Sequence, residues 1–191
     1  MVNRMRPLLN RMVEPTKVAF VRDRGIIENV VLVQEMVNFN ETKGGKKGFL
    51  GIRLDFLKAY DKMEWSFLKA MLKAFGFNEK FINLVLQCLP TVNFTILMNG
   101  GIASSFTPQR ELRQGDPIFH YLFILGCEVL MRLINRELSN GNLRGVKVAS
   151  STPPISKLCY ADDVLLFCNA RMDELIALTC CLVFAIDLAK K

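Results

Sequence analysis

Two adjacent aspartates stand between two strongly apolar segments in the last third of the chain. Ile155–Tyr160 and Val164–Cys168 have the composition of buried strands. Only Ala161, Asp162 and Asp163 separate them, which is the spacing of a tight antiparallel hairpin. Adjacent carboxylates repel each other, so this position costs stability unless a cation neutralises them. The chain is thereby restricted to folds in which a hairpin brings two carboxylates to one place.

A third carboxylate ends another predicted strand. Phe49–Phe56 alternates Leu50, Ile52 and Leu54 on one face, and Asp55 lies next to its end. Taken singly, an Asp-Asp pair in a turn is usually turn chemistry, and Asp55 could cap a helix. Together, carboxylates from two strand ends can hold two divalent cations about 3.5–4 Å apart, as a nucleotidyl transferase requires.

The remaining pattern predicts helices among antiparallel strands. Helices are expected at Ile26–Val37, Trp65–Phe75, Asn78 to about Leu89, Pro117 to about Leu138, and Met172–Leu188. Asn99-Gly100 predicts a hairpin turn between Val92–Met98 and a strand ending at Phe106. The basic residues 1–25, which contain two prolines, are interpreted as irregular. This order of elements indicates the α+β class.

Composition favours a polyanionic partner. The 191 residues carry a formal net charge of +7, which suits nucleic acid or an anionic membrane surface. The longest apolar runs are shorter than the roughly 20 residues of a membrane span, so no membrane segment is expected. The six cysteines form no C-x-x-C pair and there is one histidine, which argues for reduced core thiols and against a zinc site.

A polar segment lies between the two carboxylate segments. In Arg113-Gln114-Gly115-Asp116-Pro117, glycine permits close backbone approach, and the helix that begins at Pro117 points the positive end of its dipole at an anion. An ordinary capped helix would explain Asp116 and Pro117. It would not explain Arg113, Gln114 and Gly115.

These segments together resemble the reverse transcriptases of LINE-type (non-LTR) retrotransposons, particularly those of plants. Three motifs carry the resemblance, in chain order: the Asp55 strand followed by Lys58-Ala59-Tyr60-Asp61, then Arg113-Gln114-Gly115-Asp116-Pro117, and last Tyr160-Ala161-Asp162-Asp163. Glu64-Trp65-Ser66-Phe67-Leu68 also matches. The likeness extends from about Arg6 to about Phe184.

The resemblance implies a role for each matching residue. The metal ligands for Mg²⁺, or alternatively Mn²⁺, would be the catalytic Asp55, Asp162 and Asp163, with the backbone carbonyl of Phe56. Tyr60 would reject ribonucleotides, and Arg113, Gln114 and Gly115 would line the incoming nucleotide. Nucleic acid would be contacted by Arg22, Arg24 and Lys58.

The resemblance also implies a fingers-and-palm fold with an antiparallel palm sheet backed by helices. Residues 1–48 would be fingers-like, and residues 49–191 would form the palm with a finger insertion at about 78–112. The palm is expected to be truncated at its C-terminus, with the thumb and endonuclease regions of a longer polyprotein missing. The residues themselves carry no localisation signal that we interpret, and the resemblance alone suggests the nucleus.

Two functions follow from this resemblance. One is RNA-directed DNA polymerisation, with an RNA template, a DNA primer and dNTPs as partners. The alternative is a catalytically silent, truncated remnant that at most binds nucleic acid. The intact Asp55, Asp162 and Asp163 favour the first, whereas the expected truncation and the family-atypical Glu111 favour the second.

Overall fold

A computed structural model of the protein supports the predicted α+β class. It describes residues 2–14, 16–17, 25–42, 48–55, 63–89, 93–106, 117–147, 152–160 and 163–189. The helices are α1 (Val2–Met12), α2 (Ile26–Thr42), α3 (Trp65–Ala74), α4 (Glu79–Cys88), α5 (Pro117–Ser139) and α6 (Met172–Ala189). The strands are β1 (Phe49–Asp55), β2 (Phe94–Met98), β3 (Gly101–Phe106), β4 (Lys157–Tyr160) and β5 (Asp163–Asn169).

The residues predicted to begin or end these elements do so in the structure. The side chain of Asn78 accepts a hydrogen bond from the backbone N–H of Lys80 at 2.8 Å, which caps α4. Gly76 has a φ of +80° at the end of α3, where Phe77 N–H donates to the Leu72 carbonyl in a Schellman motif. Asn99 and Gly100 both have positive φ, as a tight hairpin turn between β2 and β3 requires.

Among the described residues, the larger sheet has three antiparallel strands in the order β1-β5-β4. β5 is therefore central, and β1, distant in the chain, pairs with it along its full length, from Phe49 opposite Asn169 to Asp55 opposite Asp163. β4 is shorter than predicted, because Ile155 forms an isolated bridge with Val146 instead of continuing the strand. β2 and β3 form a separate two-stranded sheet.

Helices cover the two faces of the larger sheet unequally. On one face, side chains of β4 and β5 such as Cys159, Val164 and Leu166 pack with residues of α5 and α6 in a buried cluster. On the other face, Phe167 and Leu158 pack against Met36 of α2. Because residues alternate along a strand, Asp163 and Phe167 share this second face.

One expectation for the N-terminal segment is wrong. Residues 2–12, expected to be irregular, form helix α1. Pro7 lies inside it and cannot donate the hydrogen bond to the carbonyl one turn earlier. Met5 and Leu9, one turn apart, are buried in the same cluster as side chains of α5, and this tertiary packing outweighs the effect of the proline.

Helix α5 passes through the centre of the protein. Its residues Ile118–Ser139 are long and apolar enough to cross a membrane by length and composition, which the sequence analysis did not anticipate. Of the most apolar stretch, 67% is buried inside the protein. The apolar character of α5 therefore has an explanation within this fold, because its side chains contribute to both main core clusters.

A buried charged network ties β4 to α5 and to the segment after α1. Lys157 is 2% exposed, and its Nζ lies 3.1 Å from Glu14 Oε2 and also donates to the side chain of Asn135. Glu14 N–H donates to Glu128 Oε2 at 3.1 Å, and Arg132 lies 3.5 Å from the other Glu128 oxygen. Burial lowers the pKa of Lys157, whereas the Glu14 carboxylate opposes that shift.

Replacing Lys157 should destabilise the protein because it leaves Glu14 without its buried cation. We expect Lys157→Met to lower the free energy of unfolding by about 3 kcal/mol, the typical cost of breaking a buried ion pair from one side. The double variant Lys157→Met with Glu14→Gln should recover part of this loss. Urea unfolding of the four proteins of this cycle measures both quantities. A double variant as unstable as the sum of the single variants would show that the pair is not coupled.

Candidate active site

Three exposed or partly exposed side chains form a row across the three strands of the larger sheet. Asp163, the first residue of β5, lies directly opposite Asp55 of β1 on one side and Tyr160 of β4 on the other. Directly opposed residues in antiparallel strands have Cα atoms about 4.5–5.5 Å apart and side chains on the same face. Asp55 and Asp163, separated by more than one hundred positions in the sequence, are therefore neighbours.

This row lies on the sheet face that packs against α2, at an end where the three side chains remain exposed or partly exposed. Phe167, which is buried in the same cluster as Met36 of α2, lies four residues from Asp163 along β5. Asp55 and Tyr160 are exposed, and Asp163 is half-buried. A large partner can therefore approach the carboxylates from the solvent side, while the opposite face of the same strands is fixed in the core.

The structure pairs Asp163 with a cation that the sequence analysis did not single out. Arg53 Nε and Nη2 both donate to Asp163 Oδ1, at 3.2 and 3.0 Å. Arg53 precedes Asp55 by two residues, so the two share a face of β1. The alternation of the strand was the signal that could have placed Arg53 beside the carboxylates.

The oxygen atoms at this site suit a hard divalent cation. Asp163 Oδ2 and the Asp55 carboxylate make no hydrogen bond or ion pair within the described part of the chain. Carboxylate oxygens are the ligands that Mg²⁺ prefers. No group of three potential metal-binding side chains occurs among the residues that the structure describes, but Asp162 is not one of them. Asp55 and Asp163 are two of the three predicted carboxylate ligands.

The other predicted site residues lie outside the described parts of the chain. These are Arg22, Arg24, Phe56, Lys58, Tyr60, Arg113, Gln114, Gly115 and Asp162. Their predicted roles therefore stay predictions. Pro117, which follows the Arg113 segment, does begin helix α5 as the sequence predicted.

Cys159, one residue before Tyr160, is unsuited to nucleophilic chemistry. It is 1% exposed, and burial raises the pKa of its thiol to about 11 although the nearby Lys17 ammonium opposes the shift. Lys17 Nζ lies 3.4 Å from Cys159 Sγ and is itself fully buried. A thiol with this pKa is protonated at neutral pH, and a buried, protonated thiol is a poor nucleophile.

Opposing carboxylates should reduce the stability of the metal-free protein. Asp55→Asn removes one of two directly opposed like charges, and we expect it to raise the free energy of unfolding by about 0.2–1 kcal/mol in EDTA at low salt. The gain should shrink at high salt, because screening weakens the repulsion. Asp173→Asn is the control, since Asp173 is an exposed aspartate of α6 that pairs with Arg171, the residue before the helix. Thermal unfolding measures the effect, and an Asp55→Asn protein less stable than the wild type would contradict it.

Comparison with known proteins finds similarity along nearly the whole chain. Residues 1–189 match the family model described as reverse transcriptase (RNA-dependent DNA polymerase). The "Transposon TX1 uncharacterized 149 kDa protein" of Xenopus laevis is 25% identical over 182 residues, which are 95% of this chain and 13% of that protein. The "Retrovirus-related Pol polyprotein from type-1 retrotransposable element R2" of Popillia japonica is 24% identical over 160 residues, 82% of this chain and 25% of that protein.

A solved structure shares the fold. The structure of apo telomerase from Candida tropicalis, truncated from its C-terminal domain, superposes with a TM-score of 0.59 at 12% identity, covering 95% of this chain and 35% of that one. The predicted fingers-and-palm fold class is confirmed by this likeness. The resemblance to LINE-type reverse transcriptases that the motifs predicted is confirmed by the family match and the relatives. The chain belongs to the reverse transcriptase family of RNA-directed DNA polymerases.

Proposed function

We propose that this chain is the polymerase module of a non-LTR retrotransposon protein, which extends a DNA primer on an RNA template by two-metal nucleotidyl transfer. The observation that carries the proposal is the placement of Asp55 directly opposite Asp163 at the open end of the sheet. The chain spans 13% and 25% of the length of the two relatives named above, so the reaction of the whole protein is part of the proposal.

Asp55 and Asp163, together with Asp162, would hold the divalent cations through their carboxylate oxygens. The backbone carbonyl of Phe56 would add a further oxygen ligand. When bound, Mg²⁺ or Mn²⁺ activates the primer hydroxyl and neutralises charge on the triphosphate. The protein contributes rigid positioning, because β5 pairs with strands on both sides and its opposite face is buried in the core.

The remaining predicted residues would bind the substrates. Arg113, Gln114 and Gly115 would line the incoming dNTP just before helix α5. Arg22, Arg24 and Lys58 would contact nucleic-acid phosphates, in keeping with the net charge of +7. In this assignment residues 1–48 form the fingers part, and residues 49–191 form the palm with the insertion at about 78–112, which contains the β2–β3 hairpin.

Metal binding and primer extension test the proposal together. We expect Asp55→Asn, Asp162→Asn and Asp163→Asn each to weaken Mn²⁺ binding about tenfold or more, because each removes an anionic ligand. Primer extension on an RNA template should fall about a hundredfold or more, since the cations contribute several kcal/mol of transition-state stabilisation. Mn²⁺ binding is measured by electron paramagnetic resonance, and extension by incorporation of labelled dNTPs.

Asp173→Asn is the matched control, because Asp173, like Asp163, is a solvent-accessible aspartate paired with an arginine. It should bind Mn²⁺ and extend primers like the wild type. Mn²⁺ binding that does not depend on Asp55, Asp162 or Asp163 would overturn the proposed metal site. Metal binding at these residues without any primer extension would favour the alternative, a silent chain that at most binds nucleic acid.

Tyr60 is proposed to reject ribonucleotides, because an aromatic ring beneath the sugar leaves no room for a 2′-hydroxyl. We expect Tyr60→Ala to increase rNTP incorporation relative to dNTP incorporation, while Tyr60→Phe keeps the wild-type preference. Competition between rNTPs and dNTPs in primer extension measures the ratio. Loss of both activities in a folded Tyr60→Ala protein, with no change in their ratio, would contradict this role.

A further inference from the structure

We propose that Arg53 is an internal counter-cation of the metal site. Its guanidinium holds the carboxylate of Asp163 when no metal ion is bound and releases it when a divalent cation binds. The inference rests on the proposed function, because it takes Asp55 and Asp163 as metal ligands. Arg53 would be a positioning residue, since it contacts a ligand and not the substrate.

The need for a counter-cation follows from the register of the sheet. Asp55 and Asp163 are directly opposed, and like charges in this arrangement are destabilising. Arg53 is opposite Leu165, so it lies diagonally across from Asp163 on the same face. A long side chain reaches a diagonal neighbour, and the guanidinium nitrogens do lie 3.0 and 3.2 Å from Asp163 Oδ1. One positive charge thus offsets part of the negative charge at the row.

The contact geometry leaves room for a second cation. Both guanidinium nitrogens contact Oδ1, and no described residue pairs with Oδ2. The Arg53 side chain is 68% exposed and that of Asp163 is 42% exposed. Exposed ion pairs are weak, so a divalent cation held by two or three carboxylates can displace the guanidinium.

A bound cation and the guanidinium compete for the same carboxylate and repel each other. Removal of the Arg53 charge should therefore tighten metal binding and destabilise the metal-free protein. A residue with only a structural role would behave differently, because its loss would lower stability equally with and without metal.

The experiment compares the 191-residue chain with Arg53→Met and Arg53→Lys, using Mn²⁺ alone as the probe. We expect Arg53→Met to lower the dissociation constant for Mn²⁺ roughly three- to tenfold at low salt, as expected for removal of a screened charge near a divalent ion. Arg53→Lys, which keeps the charge, should stay within about twofold of the wild type. Electron paramagnetic resonance of free Mn²⁺ gives the dissociation constants of the three proteins.

Thermal unfolding supplies a second readout on the same proteins. In EDTA, Arg53→Met should unfold at a lower temperature than the wild type, and saturating Mn²⁺ should abolish or reverse the difference. Arg171→Met is the matched control, because Arg171 forms a comparable exposed two-nitrogen pair with Asp173 on α6. It should change the unfolding temperature equally with and without Mn²⁺ and leave Mn²⁺ affinity unaltered.

The outcomes separate this inference from the proposed function. If Asp55→Asn and Asp163→Asn leave Mn²⁺ binding unchanged, the metal site itself fails and Arg53 has no such role. If those variants weaken binding but Arg53→Met binds Mn²⁺ no more tightly than the wild type, only the counter-cation role is overturned. Arg53→Gln, also neutral but polar, replaces Arg53→Met should the methionine variant not fold.

Discussion

The candidate site depends on the register in which β1 pairs with β5. These strands are far apart in the chain, and their pairing sets Asp55 opposite Asp163. Because side chains alternate, a shift of one residue would turn Asp163 into the core and move Val164, which is fully buried, to the open face. Burial of one face therefore fixes the position of the carboxylates on the other. The alternation of side chains along these strands therefore determines both which residues are buried in the core and where the carboxylates of the site lie.

The hairpin is further fixed by charges that lie inside the protein. Lys157, at the start of β4, is held by Glu14 and Asn135, so the strand is tied to α5 and to the end of the α1 segment. Two residues after Lys157, Cys159 N–H donates to the Thr16 carbonyl at 3.3 Å. Lys17 forms an isolated parallel β-bridge with Cys159 on the side of β4 that faces away from β5. The N-terminal segment thus supports β4, the strand that ends at Tyr160. Groups this deeply buried restrict the arrangement of the sheet, because any shift would leave a charge without its partner.

Most elements could be predicted from the sequence because their signals are local. Asn78, Gly76 and the Asn99-Gly100 turn act through bonds within a few residues, and the alternation of β1 needs no knowledge of its partner. Helix α1 was missed because Pro7 is a local helix breaker, whereas the packing that stabilises the helix is tertiary. Arg53 was missed for a similar reason, since its partner is 110 residues away. The proximity of Asp55 to Asp163 was predicted from the chemistry of divalent cations, whereas their register became visible only in the structure.

The position of the carboxylates also explains why the sheet is covered unequally. A face that α2 covered completely would bury Asp55 and Asp163, and burial of unpaired carboxylates is costly. An open face avoids that cost but leaves two like charges opposed, and a cation between them relieves their repulsion. Arg53 provides a single charge from the protein and leaves Asp163 Oδ2 and Asp55 available. A site built in this way can stay folded without metal and still attract a divalent ion, because its carboxylates are only partly neutralised.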